Sequence, residues 1–196
     1  MHKYRMNKTI EQITLIAGNI RTFFAPQKSY EGIYCVGNSN GTSFSNHGYY
    51  NNGCPIIRKA KILPDEMITV NDAGEITNIV NPFGDGVNLE TANNSALSDH
   101  QAFKIRYYLQ DSDLEACIEL ASHDWTATGV KGIKVFDIGP GTGGYITVPG
   151  SLDKAVDLCS KTLGGSDYTE IRFFFDVSDN CWNETNGYTC LEAGEN

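Results

Sequence analysis

Two cysteines on matching helical stripes, each followed by strand-like sequence, constrain this chain more than any other feature. Cys117 lies in Asp-Ser-Asp-Leu-Glu-Ala-Cys-Ile-Glu-Leu-Ala-Ser (111–122), and Cys159 in Ser-Leu-Asp-Lys-Ala-Val-Asp-Leu-Cys-Ser-Lys (151–161). The first apolar stripe runs Leu114, Cys117, Ile118, Ala121, Trp125, and the second Leu152, Ala155, Val156, Cys159, Leu163. Both follow the i, i+3, i+4, i+7 spacing of a helix with one buried face. Each thiol is therefore expected to face a core, where the two could meet. Cys35, Cys54, Cys181 and Cys190 bring the count to 6. An even number with no Cys-x-x-Cys pair and only 4 histidines makes a poor zinc protein. It points instead to disulfides formed in an oxidising compartment. Six cysteines allow fifteen connectivities, and spacing alone does not choose among them.

A length of 196 residues suits one domain with its own core. A hydrophobic content of 40% with 11% aromatics excludes global disorder. The net charge of −9 disfavours nucleic acid as a partner, because phosphate contacts need clustered Lys and Arg. Arg58-Lys59-Ala60-Lys61 is one short basic cluster and reads as a solvated loop.

Residues 4–25 predict the most regular helix, with Ile10, Ile13, Ile16, Ala17, Ile20 and Phe24 as its stripe. Pro26 ends it, since the residue before a proline is pushed out of the α region. Residues 27–66 are rich in Gly, Asn, Ser and Tyr and read as a long loop with a short helical turn near 55–61. Loops of that length inside a domain are functional or pinned, and Cys35 and Cys54 are placed to pin this one. A hairpin is predicted over 67–80 with its turn at Asn71 to Gly74. Strands follow at 101–110, 132–138, 144–148 and 169–176. The polar tail carries Cys181 and Cys190 as a small closed loop.

Val135-Phe-Asp-Ile-Gly-Pro-Gly-Thr-Gly-Gly144 resembles the first motif of S-adenosylmethionine-dependent methyltransferases, and Gly139, Gly141 and Gly144 satisfy G-x-G-x-x-G. That chemistry needs a helix N-terminus directly after the glycine turn. Here Tyr-Ile-Thr-Val-Pro-Gly follows instead, so the segment reads as a glycine-rich hairpin or surface loop. His123 and Asp124 are neighbours on one helix end and point apart. His2, His47 and His100 lie in polar surroundings without ligand spacing. Asp176, Asp179 and Glu184 offer the oxygen ligands that calcium takes, but read more simply as acidic surface. No catalytic residue, cofactor or metal is expected.

Taken together, these segments resemble the type IVb pilins, the toxin-coregulated pilin type among them. Tyr4–Phe24 looks like the C-terminal half of the long pilin helix, and Tyr30-Glu-Gly like the Tyr-x-Gly that opens the next loop. Glu115-Ala-Cys-Ile-Glu-Leu is similar to the helix whose cysteine bounds the C-terminal region, and Val156-Asp-Leu-Cys-Ser-Lys, before the strand Ile171–Phe175, to its partner segment. The resemblance implies an α+β fold, a long N-terminal helix on a mostly antiparallel sheet, with a Cys117–Cys159 disulfide. It implies one pilin-like domain over 1–196: helix at 1–25, loop region at 26–66, sheet and disulfide-bounded region at 67–176, and C-terminal loop at 177–196. Ile10, Ile13, Ile20 and Phe24 are expected to serve helix packing and assembly.

The resemblance further implies a non-catalytic subunit that self-associates into a surface filament, with a host or cell-surface receptor as a further partner. Mature members begin with about 25 apolar residues that span the inner membrane before assembly, and this chain is expected to begin just past them. A filament-tip minor pilin or pseudopilin is the related alternative, with the loop over 30–54 as its binding surface. A methyltransferase-like enzyme using Gly139–Gly144 is the alternative of another class.

Overall fold

The structure is a computed structural model that describes residues 2–36, 54–92, 101–110, 113–137, 143–162 and 168–189. Its frame is a six-stranded sheet in which every neighbouring pair is antiparallel, ordered β1 (Cys35–Val36), β4 (Val87–Thr91), β5 (Phe103–Gln110), β8 (Tyr168–Phe175), β6 (Val130–Asp137) and β7 (Gly143–Thr147). β2 (Ile68–Val70) and β3 (Ile76–Ile79) form the hairpin expected over 67–80, as a separate two-stranded sheet. In the tail, β9 (Trp182–Asn183) and β10 (Gly187–Tyr188) make a second small ribbon.

Alternation along the central strands loads the two faces of the sheet differently, because successive side chains point to opposite sides. Phe103, Ile105, Tyr107 and Leu109 of β5 and Ile171, Phe173 and Phe175 of β8 enter the main core. Register places Phe103 directly opposite Phe175, and their rings stack at 4.7 Å. Tyr107 and Trp125 both meet Phe173 edge-on, at 6.2 and 5.0 Å. The buried indole of Trp125 donates to the Leu120 carbonyl at 2.8 Å, so its one polar atom is satisfied.

Three helices cover that inner face: α1 (His2–Phe24), α3 (Leu114–Ser122) and α4 (Leu152–Thr162). α1 ends at Phe24 and passes through a 3-10 turn, Ala25–Gln27, where Pro26 stops it. A smaller cluster of Ala92, Ala102, Phe174, Val177, Cys181 and Trp182 lies on the other side of the sheet. Trp182 lies against Gly132, where any β-carbon would fall 1.9 Å from its ring. A side chain at 132 would therefore force the Trp182 ring to shift.

Cys117 and Cys159 form a disulfide that joins α3 to α4, with Cα atoms 5.9 Å apart and 42 residues between them in sequence. Cys35 and Cys54 form a second, at 4.7 Å, joining β1 to the start of the short helix α2 (Cys54–Lys59). Cys181 is disulfide-bonded, and its expected partner Cys190 lies outside the described residues.

The buried stripes of the cysteine helices differ from the sequence reading. In α3 the buried set is Ala116, Cys117, Leu120 and Ala121, while Leu114 is exposed and Ile118 only partly covered. In α4 it is Ala155, Cys159 and Thr162, with Leu152 60% and Val156 41% exposed. Leu163 lies outside the described residues. In α4 the small residues meet the other elements, and in α3 two alanines do so together with Cys117 and Leu120. β4 was passed over in the sequence, because Asn88 and Glu90 alternate with its two apolar residues, yet all five of its residues are buried.

The large loop closed by Cys117–Cys159 makes this bridge a measurable part of the stability. Replacing both cysteines by alanine is expected to lower the unfolding free energy by about 4 kcal/mol on the chain-entropy account, read by urea denaturation. A loss below about 1 kcal/mol would show that packing alone holds α3 and α4 together.

Candidate assembly surface

α1 is amphipathic in an unusual way, since both of its faces carry apolar side chains. Met6, Ile13, Ile16, Ala17, Ile20 and Phe24 are buried, and Ile10 is partly buried against the same core. Full burial of each large aliphatic or aromatic side chain contributes about 1.5–3 kcal/mol, so this face alone seats the helix. On the opposite side Tyr4 is 72% exposed and Leu15 51%, while Phe23, at the flank beside the buried Phe24, is 46% exposed. Thr14, Gly18 and Thr22 run beside Tyr4 and Leu15, four residues apart, along an exposed line. The hydroxyls of Thr14 and Thr22 are turned into the helix, donating to the carbonyls of Ile10 at 2.8 Å and Gly18 at 2.9 Å. A β-carbon at Gly18 would meet nothing within 4 Å, so no contact inside the domain requires glycine there.

Polar ties fix the helix along its length. Lys8 reaches Glu66 at 3.0 Å, and Asn19 donates to the Ile62 carbonyl at 3.1 Å. Arg21 makes a paired contact to Asp176 at 2.7 and 3.0 Å and donates to the Thr128 carbonyl at 2.8 Å. The same guanidinium lies over the rings of Phe103 and Phe175, at 5.9 and 5.6 Å. Tyr30 donates to Asp176 at 2.5 Å. Burial, then that carboxylate, push the Tyr30 phenol above its ordinary range. Asp176 therefore collects the end of α1, the loop after it and the end of β8. The sequence offered no signal for this junction, because its members are up to 155 residues apart.

The other candidates do not converge. Asp176 is held by Arg21, Asp179 pairs with Lys131, and Glu184 pairs with Lys154 while accepting the Thr147 backbone N–H at 2.9 Å. Three carboxylates on three different cations form no calcium cage. His123 packs edge-on against Trp125 at 4.6 Å, and Asp124 accepts the Thr126 backbone N–H at 3.0 Å. Gly143 and Gly144 begin β7, which pairs antiparallel with β6. The glycine segment thus leads from strand to strand, and no helix N-terminus follows it; Gly139 and Gly141 lie outside the described residues.

On the outer sheet face lies a buried charge network that sequence reading missed. Arg106 of β5 sits directly opposite Arg172 of β8, a repulsive arrangement unless counter-charged. Glu170 supplies the counter-charge, accepting from Arg106 at 2.6 and 2.7 Å and pairing with Arg172. Glu90 of β4 accepts from Arg106 at 2.5 Å and pairs with Lys104 at 3.2 Å. The Glu170 and Lys104 side chains are each only 1% exposed. Burial pushes the Lys104 amine down to about 8, against the pull of Glu90 and helped by Arg172 and Arg106. Burial alone would raise the Glu170 carboxyl, but Arg106 and Arg172 outweigh it and hold the group below the usual glutamate range. A period-2 run of Lys104 and Arg106 against Glu170 and Arg172 was the signal available.

A carboxyl whose folded pKa lies below its unfolded one contributes stability that is complete above the ordinary glutamate value, about 4.3, and is lost as pH falls through the folded value. Glu170→Gln is expected to cost about 3–5 kcal/mol at pH 7, because two buried guanidiniums lose a partner. The gap between variant and parent should then narrow below about pH 4.3 in urea denaturation at a series of pH values. A gap that stays constant into acid would show that Glu170 acts by shape and not by charge.

The comparisons with known proteins agree with this geometry at the level of fold. No family model matches the sequence, and no curated protein matches it. A search of solved structures finds the crystal structure of the type IV b pilin from Salmonella typhi, with a TM-score of 0.51 and 14% identity. The match covers 85% of this chain and 97% of that one. A long N-terminal helix laid on an antiparallel sheet, over nearly the whole length of the neighbour, gives this chain the fold of a type IVb pilin.

Proposed function

We propose that this chain is a non-catalytic subunit that polymerises through the exposed face of α1 into a type IV pilus-like surface filament. The observation that carries the reading is the two-faced helix: one stripe seals the domain core, Tyr4 and Leu15 stand out on the other face, and Phe23 is exposed at its flank. Exposed large apolar groups on an ordered helix serve association more often than solubility. Glycine in a helix interior costs about 1 kcal/mol relative to alanine, and the domain itself has no use for it at position 18. A neighbouring helix approaching closely along the Thr14–Gly18–Thr22 line would give it one.

The fold likeness supports the same reading, as do the disulfides, which suit an extracellular filament under load. No described helix is long and apolar enough to cross a membrane.

The test is made in the producing cell, by electron microscopy of sheared surface material labelled with antibody to this domain. Labelled filaments are expected from the parent. Leu15→Arg is expected to abolish them while shifting the Tm of the isolated domain by no more than a few degrees, about 4 °C, because Leu15 faces solvent. Absence of the domain from sheared material of parent cells would end the proposal, as would normal filaments from the variant.

A further inference from the structure

The start of α1 meets α3 through one imidazole and two carboxylates, and this corner has no role in the fold likeness or in the assembly face. His2 Nε2 lies 3.3 Å from Glu119 Oε2 and 3.9 Å from Glu115 Oε2. All three ligand atoms fall within 4.8 Å of one another. We propose that His2, Glu115 and Glu119 bind a divalent zinc-class metal ion that clamps the start of α1 to α3.

Three physical points support the assignment. Glu115 and Glu119 are four residues apart on α3 and so share one face, where like charges repel each other. Both nevertheless converge on a single imidazole nitrogen, which can satisfy only one of them by a hydrogen bond. A divalent cation satisfies all three at once. The distances also fit, since tetrahedral zinc with bonds of about 2.0–2.1 Å places its ligand atoms about 3.4 Å apart. The observed separations reach that by small rotations of exposed side chains. Finally, the donor set selects the metal. Imidazole with carboxylates suits zinc and its neighbours, whereas calcium and magnesium take oxygen ligands alone. Thiols offer no rival site, because there is no free cysteine among the described residues.

The surroundings set the strength. The Phe83 ring lies 6.3 Å from the His2 ring and shields one side of it. Because α3 carries Cys117, the ion would join α1 to the stapled pair of helices and fix the angle at which α1 leaves the domain.

Calorimetric titration of Zn2+ into the oxidised chain, paired with thermal unfolding, tests the site. One saturable equivalent is expected, with Tm raised by roughly 5–10 °C at a hundredfold excess over the dissociation constant. His2→Ala, and separately the double variant Glu115→Gln with Glu119→Gln, should each lose more than the roughly 10–100-fold in affinity that an outer-shell partner is worth. All three side chains are at least partly exposed, so both variants are expected to fold. Absence of saturable binding would overturn the proposal. So would undiminished affinity in the glutamine double variant, which would place the metal on another histidine. Equal response to Ca2+ would reduce the corner to an acidic surface.

Discussion

The pairing of β5 with β8 is the constraint on which the rest of the molecule depends. It runs over eight residue pairs, from Phe103 opposite Phe175 to Gln110 opposite Tyr168. Every second pair delivers mainly aromatic and aliphatic groups to the inner face, and three of the four alternate pairs deliver charge to the outer face. A one-residue slip of β8 would exchange its faces, turning Arg172 toward the core and Phe173 out beside Arg106. The inner aromatic ladder and the outer Arg–Glu network therefore specify the same register from opposite sides. Chain order makes this pairing non-local: α3, β6, β7 and α4 are all inserted between the two strands. The Cys117–Cys159 bridge spans the same insertion and keeps its two helices together while the strands find each other.

α1 is docked on this platform by a core stripe and by polar ties near both ends. Asp176 is the anchor at the far end, reached by Arg21 and Tyr30 together. Rigid docking matters for a helix whose other face is left apolar, since a partner gains most from a surface already held in place. Packing on one side and association on the other are thus divided between two faces of one helix. The division costs the isolated domain some solubility, and its overall negative charge offsets that cost.

Much of the architecture was legible in the sequence where local pattern and tertiary demand agree. α1 showed its period, its stripe and its proline stop; the 67–80 hairpin showed its turn; and Phe103–Gln110 and Tyr168–Phe175 showed their alternation. Legibility failed in α3 and α4. There the large apolar residues Leu114, Leu152 and Val156 define a stripe by size, but the buried residues are Leu120, Thr162 and the alanines near the cysteines. It failed also at β4, whose polar alternate residues disguise a strand buried on both faces. The candidate surface was half visible. The buried side of α1 could be read from periodicity, whereas the exposed apolar side shows only once it is known which face the sheet occupies.

What the sequence determined by itself is what depends on neighbours in the chain: helical and strand periods, the turn residues, the end of α1 at Pro26, and the presence of six cysteines. What the tertiary structure decided is what depends on residues far apart in sequence meeting in space. The choice of Cys159 for Cys117, the gathering of Arg21, Tyr30 and Asp176, the neutralising of two opposed arginines by Glu170 and Glu90, and the meeting of His2 with α3 all belong to that class. The physical reason is that local propensity acts over a turn or two of chain. Charge pairing, burial and disulfide closure act only when folding has removed the intervening distance.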